Sequence, residues 1–271
     1  MPELPEVETT VRGIAPHLTG ATVTGVDVRQ SRLRQPVPAQ LAEHLNGQPL
    51  RRVGRRAKYL LFDFDPGRLI VHLGMSGSLR IVDPTVPATA HDHVDLRFGE
   101  RILRYRDPRR FGLMLWQPED AAPPALLAQL GIEPLSAAFD GPWLYHATRL
   151  ARRSIKTFIM DSHVIVGVGN IYASESLFRA GIHPLTPAGR LGPARCARLA
   201  QAIRDTLQDA IAAGGSSLRD FVGSDGQPGY FQQQYFVYAR DGEPCRQCAR
   251  PVRRVVIGQR ASFFCAHCQR R

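Results

Sequence analysis

Two Cys-x2-Cys pairs, Cys245/Cys248 and Cys265/Cys268, stand sixteen residues apart near the end of the 271-residue chain. Thiolates at this spacing suit a tetrahedral metal site built on a β-hairpin. Two disulfides are the alternative, but a Cys-x2-Cys pair is poor disulfide geometry. The chain also shows no signal peptide, which predicts a reducing, cytoplasmic setting. The expectation is therefore one structural Zn2+ held by four cysteines, with no coordination position left open for catalysis. The fifth cysteine, Cys196, falls on the apolar face of a predicted helix and is read as a small buried residue.

Charge narrows the partner. The net charge is +11, and residues 240–271 carry eight Arg against Asp241 and Glu243. Further cationic clusters are Arg51–Lys58 and Arg101–Arg110. Solvated faces normally mix both signs, so a polyanion is expected, with nucleic acid ahead of an acidic membrane surface. No apolar run approaches the roughly 18 residues of a membrane span. All but two of the 35 basic residues are Arg. Lys can yield a proton where Arg cannot, which marks Lys58 and Lys156 for proton transfer or compact phosphate binding.

The chain begins Met1-Pro2-Glu3-Leu4-Pro5-Glu6. With Met1 removed, Pro2 presents a secondary amine, whose neutral form attacks an aldehyde-like carbon. A proline adduct has no second N–H proton to lose and stays a cationic iminium, a persistent electron sink. Glu3 could move protons beside it. A fraying terminus with helix-capping acids accounts for the same residues, and taken alone they favour that reading.

Val7, Val11, Ile14 and Leu18 predict a helix of about 12 residues starting near Glu6. Short β-rich runs follow to about Gln117, including Ala57–Phe64, with Lys58 near its start, and a hairpin turn at Gly99-Glu100; together they imply a sandwich or barrel. Pro118–Pro142 reads as an inter-domain connection. Helices are predicted over Asn170–Ala180 and Pro193–Ala213. Gly167-Val168-Gly169-Asn170 lacks the third glycine of a dinucleotide fingerprint; Asn170 is an N-cap or part of a phosphate site. His91 and His93 have no evident third metal ligand, so phosphate contact or plain strand surface is the better account. Asp107–Gly112 places Arg109, Arg110 and Phe111 on a tight turn, either an exposed hairpin tip or a wedge for a base stack.

The segments PELPEVET, RRAKYL, LGMSGSL, HDHVDL, DPRRFG, VGVGNIYASESLF and SDGQPGYF, with the four-cysteine hairpin, run in this order through the whole chain. In them the chain closely resembles bacterial formamidopyrimidine-DNA glycosylases, repair enzymes for 8-oxoguanine. The resemblance implies an α+β multidomain fold. Its parts would be a catalytic β-sandwich with an N-terminal helix (1–135), a helix–two-turns–helix domain (136–222), a lesion-recognition loop and connector (223–238) and a zinc finger (239–271). It implies base excision repair on damaged double-stranded DNA by a monomer that is both glycosylase and abasic-site lyase. Pro2 would be the nucleophile, Glu3 the proton donor, and Glu6 an aid to the terminal amine. Lys58 and Arg260 would assist β- and δ-elimination. His91, Arg110, Arg152 and Asn170 would touch the DNA backbone, joined by Lys156 on the lysine reasoning above. Met75, Arg109 and Phe111 would fill the space of the flipped base, and the loop ending at Tyr230 would cover that base. The sequence departs from the family in having Arg152 and Arg153 where lysines are usual. Two other readings are an endonuclease VIII-type glycosylase, disfavoured by Leu4 and SDGQPGYF, and a non-catalytic zinc-finger DNA-binding protein, which leaves Pro2, Glu3, Glu6, Lys58 and Arg260 unexplained together.

Overall fold

The computed structural model describes residues 2–215 and 234–271. They form two compact units, one from residues up to Ala128 with the chain from Ala213, the other from Gln129–Ala212 with the C-terminal residues.

The first unit opens with helix α1, Leu4–Leu18. It starts two residues earlier than hydrophobic spacing predicts, because Pro5 is tolerated in a first turn. Val7, Val11, Ile14 and Leu18 are all buried. Then come β1 (Gly25–Val28), α2 (Leu41–Leu45), β2 (Arg52–Arg56), β3 (Tyr59–Phe64), β4 (Gly67–His72), β5 (Ser78–Val82), β6 (Asp92–Phe98), β7 (Arg101–Arg106) and β8 (Leu113–Pro118). They make two four-stranded antiparallel sheets, ordered β1-β6-β7-β5 and β2-β3-β4-β8. The alternate residues Val94, Leu96 and Phe98 of one sheet share a core with Leu60, Phe62 and Phe64 of the other and with the apolar face of α1. The predicted sandwich and its 99–100 turn are thus present, Phe98 pairing directly with Arg101. Two local expectations change. Lys58 does not open a strand; with Ala57 it forms the two-residue turn between β2 and β3, since Arg56 pairs with Tyr59. The 107–112 segment is no hairpin tip, because it carries the chain from β7 in one sheet to β8 in the other.

One buried ion cluster ties the first sheet together. Asp95, fully buried, accepts from Arg29 Nη2 at 2.5 Å and from Arg104 Nε and Nη2 at 2.9 Å, joining residues of β6 and β7 to the end of β1.

The second unit is mainly helical, with α3 (Ala125–Ala128) just before it in the connection. It contains α4 (Gly141–Thr148), α5 (Ile155–Ile159), α6 (Asn170–Arg179) and α7 (Pro193–Ala212), then the hairpin β9 (Arg253–Ile257) and β10 (Arg260–Phe264). Asp140 caps α4 through Trp143 N at 2.7 Å, and Ser154 caps α5 through Thr157 N. Cys196 is buried on α7, as its position on the apolar face predicts. Glu175 of α6 is buried and accepts the backbone N–H groups of Phe236, Val237 and Tyr238 at 2.8–3.0 Å. That carboxylate fixes the chain entering the cysteine hairpin.

Burial alone would raise the Asp95 carboxyl, but its bonds to Arg104 and Arg29 hold it below its ordinary value. Asp95→Asn should cost about 3–5 kcal/mol in urea unfolding at neutral pH, because the buried Arg104 loses its carboxylate counter-charge. A depressed carboxyl stabilises the fold above its unfolded pKa of about 3.9 and loses that contribution as pH falls through the lower folded value. The variant should therefore show a flatter acid limb; identical limbs would exclude Asp95 as the titrating group.

Candidate active site and nucleic-acid interface

The start of α1 is enclosed. Pro2, Glu3 and Glu6 are buried, Glu6 completely. Glu3 is the N-cap of α1, and its backbone N–H donates to Glu6 Oε2 at 2.8 Å as half of a capping box. Both carboxylates lie at the positive end of the helix, where negative charge is stabilised. Gly215 packs here at φ +81°, and a Cβ on it would stand 3.4 Å from Glu6 Oε1.

The Ala57-Lys58 turn is braced against the same helix. Arg55 donates to Glu8 Oε2 at 3.0 Å and to Ala57 O at 2.9 Å, and Glu8 also accepts from Arg12. Burial pushes Glu8 upward, but Arg55 and Arg12 together hold it below its usual range. Tyr59, next to Lys58, pairs with His72, and their rings lie 4.9 Å apart. The His72 Nδ1 accepts Gly74 N–H at 2.9 Å, so the neutral ring carries its proton on Nε2. Burial, then the charges of Lys58 and Arg34, lower His72 to about 4.

A second cluster turns on Asp107, which is fully buried. Its carboxylate accepts from Ser76 Oγ at 2.6 Å, Gly112 N at 2.8 Å and Tyr105 OH at 3.1 Å. Its carbonyl meets His93 Nε2 at 2.7 Å. Asp107 thereby joins the 74–78 turn to the 107–112 loop. Arg109 N donates to Ser76 Oγ, and the Arg109 guanidinium lies 4.8 Å from the centre of the Phe111 ring. Gly74 and Gly112 permit this close approach, since a Cβ on Gly112 would fall 2.5 Å from His72 O and 1.8 Å from Tyr105 OH. Met75 and Phe111 remain 38% and 46% exposed, apolar side chains presented to solvent on a rigid base. Arg110 takes a left-handed φ of 56° and is exposed. His91 is exposed beside this loop, its carbonyl accepting Asp107 N–H at 3.0 Å; His93 points inward, so the two do not form a metal pair.

In the second unit, Asn170 is the first residue of α6, after the N-cap Gly169, and its side chain works laterally rather than as a cap. Its Oδ1 accepts from Lys156 Nζ at 2.7 Å, and its Nδ2 donates to Ala261 O at 2.9 Å. Lys156 is only 1% exposed and also donates to Ser262 Oγ at 2.6 Å. The lysine singled out by its rarity is thus a buried link between Asn170 and β10, the strand that opens with the exposed Arg260. Arg153 pairs with Asp161 at 2.7 Å, whereas Arg152 is exposed. Tyr230 lies outside the described residues.

Three family models match in chain order: the formamidopyrimidine-DNA glycosylase N-terminal domain over residues 1–114, the H2TH domain of the same enzymes over 130–222, and a zinc finger found in FPG and IleRS over 242–271. A formamidopyrimidine-DNA glycosylase of Aromatoleum aromaticum is 65% identical over 271 residues, covering all of both chains. One from Methylococcus capsulatus is 57% identical, again over the whole of both. The chain belongs to the formamidopyrimidine-DNA glycosylase family. Among solved structures, a Lactococcus lactis Fpg mutant in complex with a Fapy-dG containing DNA superposes with a TM-score of 0.92 at 32% identity over the full length of both chains. Fpg from Thermus thermophilus gives 0.87 at 39% identity, covering 99% of this chain and 98% of the other.

The formamidopyrimidine-DNA glycosylase zinc finger is explicit in the side chains. The ligand atoms of Cys245, Cys248, Cys265 and Cys268 all lie within 4.8 Å of one another. The Cys245–Cys268 and Cys248–Cys265 sulfur separations are 3.9 and 3.5 Å. A tetrahedron with Zn–S near 2.3 Å has edges of about 3.8 Å, so the donor set fits one structural Zn2+ without rearrangement. No helix among the described residues is long and apolar enough to cross a membrane.

Asp107, His72, Glu175 and Ser262 carry no local signal in the sequence: Asp107, Glu175 and Ser262 bond to residues 31, 61–63 and 106 positions away, and His72 is placed by strand pairing with Tyr59. A neutral buried histidine stabilises the fold above its unfolded pKa of about 6.5 and loses that contribution as pH falls toward its folded value. Between pH 6.5 and about 4 the protein should lose roughly 3 kcal/mol through His72, and His72→Gln should remove that slope in urea titrations. An unaltered slope would assign the transition to another group.

Proposed function

We propose that this protein excises oxidised purines, 8-oxoguanine and formamidopyrimidines, from duplex DNA and then cleaves the abasic site. The observation that carries the mechanism is the buried start of α1, where Pro2 adjoins the two carboxylates Glu3 and Glu6. The damaged nucleotide leaves the base stack to reach it. With Met1 removed, the neutral Pro2 nitrogen attacks C1′ and the N-glycosyl bond breaks, its electron pair leaving with the base. Glu3 protonates the sugar ring oxygen as the ring opens, which yields an iminium between Pro2 and C1′. Glu6, bonded to the Glu3 backbone, holds this turn and aids loss of the amine proton.

The iminium acidifies the C2′ proton; its loss expels the 3′ phosphate, and a second elimination expels the 5′ phosphate. Lys58, braced through Arg55 and Glu8, is the proton-transfer group for the first elimination, and the cationic Arg260 assists the second through phosphate contact. Water then hydrolyses the iminium and frees Pro2. Met75, Arg109 and Phe111 occupy the vacated base position, a role that suits exposed apolar side chains on a rigid loop. His91, Arg110, Arg152 and Asn170 contact phosphates. Lys156 acts through Asn170 and Ser262 as a positioning residue, not through direct DNA contact. The four-cysteine zinc organises the hairpin that carries Arg260 and takes part in no step. Tyr230 would belong to the cover over the extruded base. The domain limits proposed above and a monomeric, bacterial cytoplasmic enzyme complete the reading; every proposed residue comes from one chain.

Pro2→Gly keeps an N-terminal amine and should retain part of the strand-cleavage activity on a pre-formed abasic site. A protein whose terminus is blocked by an uncleaved tag should lose it by at least ~1,000-fold, on the order expected for removal of a nucleophile. Full cleavage by the blocked protein would overturn the assignment of Pro2.

A further inference from the structure

We infer that the cysteine end of the zinc hairpin is a second binding surface for the phosphodiester backbone of DNA, separate from Arg260 at the hairpin tip. Arg250, Arg253, His267 and Arg270, with Pro251 and Ala266, line a concavity of about 410 Å3. All four cationic or ionisable side chains are exposed, and no carboxylate lines the concavity. None of the four side chains enters an ion pair or hydrogen bond among the described residues. Three guanidiniums converging with no carboxylate in the lining repel one another, and an anion relieves that repulsion.

The backbone beneath them is fixed. Arg250 O accepts Cys245 N–H at 2.8 Å, and Pro251 bridges Pro244. Arg270 exchanges backbone bonds of 3.0 and 3.1 Å with His183 and Gly181, and its carbonyl also accepts from Arg195 Nη2 at 2.9 Å. Gln269 closes the same corner through Cys265 N and Ile182 O, both at 2.9 Å. The cations therefore stand on a preorganised frame, which limits the ordering cost of binding.

The register suggests what they meet. Arg260 pairs with Ile257 and Phe264 with Arg253, so Arg253 and Arg260 fall on one face of the hairpin. Four residues of strand separate the two ends, about 14 Å, close to four axial steps along one DNA strand at roughly 3.4 Å each. Small-molecule pockets are predominantly apolar, whereas the apolar lining here is one proline and one alanine. A repeating anion fits better. The competing duty is local: four thiolates on one Zn2+ leave a net charge of about −2, which nearby arginines would balance.

The inference rests on the DNA-directed function above, and the test separates the two. Zinc-loaded, full-length protein and its Arg250→Gln/Arg253→Gln variant are titrated with an undamaged duplex of about 40 base pairs over a range of KCl. Each lost phosphate contact should flatten the slope of log K against log salt by about 0.9, so the double variant should lose about 1.8. Arg253→Gln alone should lose about half of this, which covers the case in which the double variant sheds zinc, and Arg250→Lys/Arg253→Lys should keep the wild-type slope. Single-turnover 8-oxoguanine excision at saturating protein should be unchanged in every variant. Unchanged slopes would overturn the second surface, and unchanged slopes with faster zinc loss to a chelator would assign the arginines to the thiolates. Absence of excision in the wild-type protein would instead count against the proposed function.

Discussion

The structure depends on the burial of the residues that open α1. A free N-terminus gains entropy by fraying, and ordering even one residue costs about 1–2 kcal/mol of backbone freedom. Here that cost is offset by continuity with α1, whose residues Val7, Val11, Ile14 and Leu18 are buried in the core shared by both sheets. The nucleophile proposed for this chain is thus anchored by hydrophobic packing several residues away. Glu3 and Glu6 then sit buried at the one end of a helix where carboxylates are tolerated, beside backbone N–H groups and a positive dipole.

The other residues proposed to act are held by similar indirect supports. Lys58 occupies a two-residue turn whose position follows from Arg55 reaching both Glu8 and Ala57. The exposed Met75 and Phe111 depend on Asp107, a buried carboxylate that gathers Ser76, Tyr105 and Gly112. Asn170 depends on Lys156, and the chain entering the zinc hairpin on Glu175. Asp107, Lys156 and Glu175 are buried polar groups that hold neighbouring segments in place, and the half-buried Arg55 and Glu8 do the same for the Lys58 turn. Such networks rigidify when complete and destabilise when one member is removed.

Much of this was legible in the chain itself. The cysteine spacing, the helical periodicity from Val7 to Leu18 and the alternation from Val94 to Phe98 are local signals, and each corresponds to an element or site in the structure. Order of motifs supplied the family. What stayed hidden was tertiary. Ser76 and Asp107 are 31 residues apart and Lys156 and Ser262 are 106 apart, and neither pairing leaves a periodic trace. The scarcity of lysine drew attention to Lys156 but said nothing of its burial, because composition carries no depth. Ala57 looks strand-compatible and so draws Lys58 into a predicted strand, whereas its φ of 53° makes it part of a turn.

The most direct test of the central claim is borohydride trapping on a duplex with one 8-oxoguanine opposite cytosine, followed by mass mapping of the cross-linked peptide. The account predicts a covalent adduct on Pro2 of the Met1-processed chain and none with undamaged duplex. An adduct mapped to Lys58 or Lys156, or tight binding to the lesion duplex with no adduct at all, would contradict it.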